Sequence, residues 1–225
     1  MFLFFIILTL SVPQQVQQPR EVVEAYELCR KFQTLMAEDL DFDRAFEATF
    51  TKSPARRREI AIAEGEFGNI DLARVDDASL IDAFKSRMQI FYLMMPLMSP
   101  EDKREEALFF PPRIKAVFER KPPKAASRFR AYSLQLKRDV AYLRAHLERL
   151  AKDRPDVAER IRKFKKETLH TKLEPPADIV KPLTAYSKGR VLGIHEPYYQ
   201  IGEYAVVREG NEMRIIGIRF FTRLF

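Results

Sequence analysis

One short segment combines titratable and aromatic side chains, namely His195-Glu196-Pro197-Tyr198-Tyr199. A general base at His195, oriented by Glu196 or by a tyrosine, is the simplest catalytic interpretation. Adjacent side chains of an extended segment point to opposite faces, which counts against a pair formed by His195 and Glu196. The sequence therefore favours a structural loop and assigns no catalytic residue, with His195, Glu196, Tyr198 and Tyr199 as the only candidates.

Two other patterns suggest metal ligands, but neither is complete. Asp39, Asp41 and Asp43 alternate as in a calcium loop, whereas Arg44 and Phe50 stand where that loop needs glycine and a bidentate glutamate. Four methionines at 88–98 could bind Cu(I), but their apolar neighbours favour a role in the core. The three histidines have no zinc spacing, and no glycine-rich nucleotide motif is present. The sequence thus predicts neither a metal site nor a cofactor.

Positive charge is concentrated in the middle of the chain. Residues 113–172 carry 19 basic and 7 acidic side chains, a net charge of +12, whereas the whole chain carries +7. The densest basic runs are 56–58 and 160–166. Such a block can bind nucleic acid, an anionic surface or an acidic protein, or it can be a solvated helix face. The candidate binding residues are Arg128, Arg130, Lys137, Arg138, Arg160, Arg162, Lys163, Lys165 and Lys166.

The first 12 residues form an uncharged, almost wholly apolar run, and the first ionisable side chain after them is Arg20. A run of roughly 11 apolar residues matches the core of a secretory signal and is shorter than the roughly 20 needed to span a bilayer. We therefore expect a signal peptide at 1–12, a polar leader at 13–19, and an exported protein, periplasmic or extracellular, with no transmembrane domain after signal removal. The run lacks a preceding Lys or Arg, so an uncleaved anchor or a cytosolic chain stays open.

Prolines and capping residues divide residues 20–182 into helices. Asp41, Ser53 and Ser79 are predicted to start helices, the last as part of a capping box. The apolar run at 88–95 ends at Pro96 and predicts a buried central helix.

A long amphipathic helix is predicted after the proline-rich connector at 121–124. Apolar residues between 129 and 150 recur in steps of three and four, which indicates a near-heptad seam. His146 is expected on the polar side of this helix. A shorter antiparallel helix should follow Pro155.

Residues 183–225 change to an alternating pattern and predict strands at 191–194, 204–207 and 213–218. A two-residue turn at Gly210-Asn211 would pair Val206 with Ile215 and Tyr204 with Gly217. The predicted fold class is α+β, with seven or eight helices and a C-terminal three-stranded antiparallel β-meander packed on them as one domain.

Both ends of the chain show a family resemblance. The matching stretches are Leu40-Asp41-Phe42-Asp43, Ala45-Phe46, Tyr204-Ala205-Val206-Val207-Arg208-Glu209-Gly210 and Met213-Arg214-Ile215. They are similar to segments of nuclear-transport-factor-2-like cone folds, and the resemblance implies a cone-shaped pocket for a ligand or for small-molecule catalysis. The helical middle departs from that family, and no catalytic residue carries over.

Together these patterns favour a non-enzymatic exported protein that binds a partner or an anionic envelope component through a basic helical face. One alternative is an enzyme or small-ligand protein with a pocket between the meander and the helices, near His195 and Arg190. Another is a cytosolic nucleic-acid binder, which requires that residues 1–12 are not a signal.

Overall fold

The computed structural model describes residues 20–63, 65–98, 102–168, 198–202 and 204–218. Within these ranges the chain is α+β, as predicted, with eight α-helices and a three-stranded antiparallel sheet near the C-terminus. The predicted signal and leader, the predicted strand at 191–194, and residues Arg190, His195 and Glu196 lie outside the described residues. The helices are α1 (Arg20–Asp39), α2 (Phe42–Thr49), α3 (Pro54–Ala63), α4 (Asp77–Met94), α5 (Lys103–Phe109), α6 (Pro112–Phe118), α7 (Phe129–Asp153) and α8 (Pro155–Lys163).

Side-chain oxygens cap several of these helices, among them α3, where Ser53 Oγ accepts from the Arg56 N–H at 3.3 Å as predicted. The prediction for Asp41 is confirmed, since its carboxylate accepts from the backbone N–H groups of Asp43 and Arg44 at 3.0 and 3.3 Å. The prediction for Ser79 is wrong, because α4 begins three residues earlier with Asp76 as its cap. The Asp76 carboxylate accepts from the Ser79 N–H at 2.7 Å, so Ser79 lies inside the first turn.

α4 is the predicted central helix, buried along most of its length, and it packs more extensively on α7 than on any other element. An aromatic cluster joins its neighbours. The ring of Phe32 in α1 lies 5.9 Å from Phe42, 5.7 Å from Phe50 and 5.5 Å from Tyr204 of the sheet. This cluster fixes α1, α2 and the sheet around one side of α4.

α7 is the predicted long amphipathic helix, with 25 residues. The predicted seam is confirmed at its apolar positions, of which Val140 is only partly buried. The fully buried apolar members are Phe129, Tyr132, Leu136, Leu143, Leu147 and Leu150. The opposite side of α7 therefore faces solvent.

The strands are β1 (Tyr199–Ile201), β2 (Tyr204–Glu209) and β3 (Glu212–Ile218), in the order β1-β2-β3. The predicted pairing of Val206 with Ile215 is confirmed. The pairing of Tyr204 with Gly217 is wrong, because a bulge at Ala205/Val206 shifts the register. Tyr204 pairs with Ile218 instead, so that an apolar side chain rather than Gly217 lies opposite it and packs against the core.

The first strand of the sheet falls where the sequence predicted a loop. Tyr199 begins β1 and pairs with Val206, and both Tyr198 and Tyr199 are buried. The loop prediction for these two tyrosines is therefore wrong. Both faces of the sheet are covered, because Tyr198 packs on the face that contacts Ile60 of α3, whereas Tyr199 packs on the main core.

Candidate anionic-partner interface

The exposed side of α7 carries six basic side chains. They are Arg130, Lys137, Arg138, Arg144, Arg149 and Lys152, of which Arg144 is half-buried and the other five are exposed. They fall within an arc of roughly 140° around the helix and extend over roughly 33 Å of its length. Glu148 lies among them, and Asp153 ends the helix. We call these six residues the basic face of α7.

The sequence of α7 explains why its exposed side can be helical although it does not pack against the core. Arg, Lys and Ala are among the strongest helix formers, and the exposed positions between the basic residues include Ala131, Ala141 and Ala145. The apolar seam on the other side holds the helix to α4. High helix propensity thus keeps this exposed side helical, and packing of the apolar seam on α4 sets the direction in which the basic face points.

Polar groups in the seam also fix how α7 is rotated. Asp139 is buried, accepts from Arg120 at the end of α6, and accepts from Gln135 Nε2 at 3.0 Å. His146 is buried with its Nε2 3.2 Å from the Phe109 carbonyl oxygen of α5. These contacts on α5 and α6 keep the basic face turned away from the core.

The expectation for His146 is therefore wrong, since it lies in the seam and not on the polar side. It continues the seven-residue spacing of Tyr132 and Asp139, and the Phe109 carbonyl satisfies its ring nitrogen. Burial lowers the pKa of His146, the hydrogen bond to Phe109 partly offsets that effect, and Arg149 lowers the pKa further. The neutral ring is favoured, so His146 adds no charge to the basic face near neutral pH.

Much of the charge on the basic face is not neutralised by other described residues. Lys137 Nζ lies 2.7 Å from Asp82 of α4, but both side chains are well exposed and such pairs contribute little. Arg138, Arg149 and Lys152 form no ion pair with any residue that the structure describes. Arg130 adds to a lowering of the Asp76 pKa that comes first from the Ser79 backbone N–H. Most of the positive charge therefore remains available to a partner.

The basic run at 160–166, in α8 and just after it, takes part in contacts within the fold. Arg160 Nη2 donates to Glu105 at 3.1 Å, and Lys165 Nζ donates to the backbone carbonyl of Glu38 at 2.8 Å. Arg162 is paired with Glu159, one turn earlier in the same helix. Of the remaining candidates in this run, Lys163 and Lys166 are exposed. Arg160 and Lys165 thus serve internal contacts, whereas the well-exposed pair of Arg162 with Glu159 contributes little. The basic face of α7, with six basic residues on one side, is the stronger candidate interface.

The sequence-predicted binding residues divide between these two places. Arg130, Lys137 and Arg138 lie on the basic face, and Arg128 is exposed immediately before α7. Arg144, Arg149 and Lys152 were not predicted as binding residues. A heptad assignment would have found two of these, because Arg144 falls seven residues after Lys137 and Lys152 falls fourteen after Arg138.

The two described catalytic candidates have structural roles. The Tyr199 hydroxyl donates to Glu21 of α1, and its pKa is raised to about 12, first by burial and then by Glu21. Tyr198 is 1 % exposed and packs with Ile60 and Val207. Neither tyrosine presents a reactive group to solvent.

The described residues contain no group of three or more His, Cys, Asp or Glu side chains placed to hold a metal ion. In the same residues, no helix has both the length and the apolar character required to cross a bilayer.

Comparisons with protein-family models, curated proteins and solved structures found no match to this chain. The described sheet has three strands, whereas the nuclear-transport-factor-2-like cone that the chain ends resemble needs a larger curved sheet. The basic face of α7 is therefore the feature from which a function can be inferred.

Proposed function

We propose that this protein is exported and binds an anionic partner, such as a component of the cell envelope, through the basic face of α7. The observation that carries the proposal is a single solvent-facing helix side with six basic residues and Glu148 as the acidic residue among them. A Lys or Arg close to an anionic surface is worth about 1 kcal/mol, so several acting together give useful affinity. The apolar run at 1–12 supports export.

Binding of this kind must depend steeply on salt. The Debye length falls from about 30 Å at 0.01 M to about 3 Å at 1 M ionic strength, and exposed charges are screened accordingly. We expect the affinity for polyphosphate and for vesicles containing phosphatidylglycerol to fall across this range.

The variant that tests the interface is Arg138→Glu combined with Lys152→Glu. Both side chains are exposed and unpaired within the described chain, and glutamate keeps the helix propensity. We expect the affinity for polyphosphate at low salt to fall at least tenfold, measured by titration calorimetry, because the net charge of this face falls by four units.

A matched control removes the same charge elsewhere. Lys31→Glu with Lys52→Glu changes exposed lysines in α1 and before α3. If the control weakens binding as much as the test variant, net charge alone explains the binding and the interface is wrong. Salt-independent binding, or none to either probe, would remove the proposal.

Export has its own test. N-terminal sequencing of the mature protein, together with cell fractionation, should find the chain outside the cytoplasm and without residues 1–12. Recovery of the intact chain from the cytosol would contradict export and would make nucleic acid the first partner to test.

A further inference from the structure

The basic face of α7 surrounds an exposed apolar side chain. Leu134 is 48 % exposed, and Arg130, Lys137 and Arg138 lie one turn to either side of it. No element of the described chain covers it. A single exposed leucine is ordinary, but this one lies between the basic residues that would face an anionic partner.

A second exposed apolar side chain lies near the same part of α7. Phe118, in the last turn of α6, is 40 % exposed, whereas Ile114 and Val117 of the same helix are buried. Two residues further on, Arg120 pairs with Asp139 of α7. That pair joins the end of α6 to the buried side of α7 at Asp139, and Phe118 lies two residues before it.

Apart from Glu148, the remaining positions of this side are small. Exposed Ala131, Ala141 and Ala145 let the helix backbone come close to an approaching surface at these positions. Long Lys and Arg side chains can then extend sideways and keep their charges at a polar boundary while apolar side chains go deeper. Helices that lie in the plane of a bilayer interface likewise combine basic side chains at the headgroups with apolar side chains that reach below them.

From these observations we infer that the anionic partner is a lipid bilayer, with the basic face on the headgroups and Leu134 and Phe118 inserted between them. The inference rests on the proposed function and adds the class of partner. A soluble polyanion would gain from the same charges but would bury little of Leu134 and Phe118. An anionic bilayer uses both kinds of side chain, which is why the structure favours it.

The test removes the apolar contacts and keeps every charge. We expect Leu134→Ser combined with Phe118→Ser to bind phosphatidylcholine/phosphatidylglycerol vesicles at least tenfold more weakly than wild type, because burying a large apolar side chain is worth about tenfold or more in affinity. Polyphosphate affinity should stay unchanged. Both are measured at one ionic strength, by vesicle co-sedimentation and by calorimetry.

A matched control and a second variant keep the result interpretable. Val23→Ser with Ile62→Ser removes exposed apolar side chains of α1 and α3 and should leave vesicle binding unchanged. If the double variant at 118 and 134 loses its helical circular-dichroism signal, Leu134→Ser alone serves, since Leu134 lies on solvent and not in the seam.

The possible outcomes separate this inference from the proposed function. If the double variant binds vesicles like wild type while charge reversal weakens binding, the face acts by charge alone and the bilayer inference is overturned. If polyphosphate binding falls as much as vesicle binding, an anionic polymer is the better partner. If wild type binds neither probe, both the inference and the proposed function fail.

Discussion

At the scale of single residues, exposure decides which basic side chains can bind a partner. The run 56–58 is as dense in arginine as any part of the chain, yet all three side chains turn inward to acidic partners. Arg57 is the extreme case, being 1 % exposed with its guanidinium 3.6 Å from the centre of the Phe84 ring. Its Nη2 donates to Glu66, while Nε and Nη1 have no partner among the described residues.

This buried arginine gives an asymmetric prediction. Glu66→Ala should lower the free energy of unfolding by about 3 kcal/mol, because it leaves a buried charge without its partner. Arg57→Met should cost less, since methionine keeps the packing on Phe84 and the Glu66 side chain, 19 % exposed, can be hydrated. Urea unfolding of the two variants measures both values. Equal losses, or a larger loss for Arg57→Met, would contradict this account of the pair.

At the scale of elements, one buried amide connects α4 to the junction between α1 and α2. Gln89 Oε1 accepts from the Phe42 N–H at 2.7 Å, and its Nε2 donates to the Leu40 carbonyl at 2.5 Å. Leu40 has a φ of 58°, the left-handed conformation that lets the chain turn between the two helices. Gln89 therefore satisfies two backbone groups that this turn leaves without helical partners.

Gln89→Met should lower the free energy of unfolding by about 2 kcal/mol, because two buried backbone groups lose their partners. The effect should also be local, with faster hydrogen exchange at the Phe42 amide than in wild type. Thermal unfolding and amide exchange measure the two effects. A variant of unchanged stability, in which the Phe42 amide stays protected, would show that Gln89 does not hold the junction.

Element prediction from the sequence succeeded where the signal is local. The cap at Asp41, the seam of α7 and the turn at Gly210-Asn211 depend on neighbouring residues and are confirmed. The bulge at Ala205/Val206 was not predicted, because no signal in the neighbouring residues indicates it. It brings Ile218 rather than Gly217 opposite Tyr204, where Ile218 packs against the distant core. The helix α6 was not predicted, although its first residue is Pro112 and proline suits the first helical position.

At the scale of the whole molecule, the main feature is the uneven distribution of positive charge along the chain. Only part of this distribution could be predicted from the sequence. The excess of basic residues at 113–172 was evident. The sequence did not show which of these side chains can reach a partner. Arg160 and Lys165 are held by residues distant in the chain, namely by the Glu105 carboxylate and the Glu38 backbone carbonyl. The fold thus holds Arg160 and Lys165 in internal contacts and leaves most basic side chains of α7 exposed.

In this proposal, the basic face of α7 is the surface that meets an anionic bilayer. Cys29, the one cysteine of the chain, is fully buried, and burial raises its pKa, so a single introduced cysteine can be labelled selectively. Ala141→Cys places an environment-sensitive fluorophore on the basic face, and Ile62→Cys places it on α3 as a control.

The deciding measurement is the emission of each label when phosphatidylglycerol-containing vesicles are added to the protein. The account predicts a blue shift at position 141 that high salt reverses, with no change at position 62. A shift at position 62 without one at position 141, or bound vesicles with neither label affected, would contradict it.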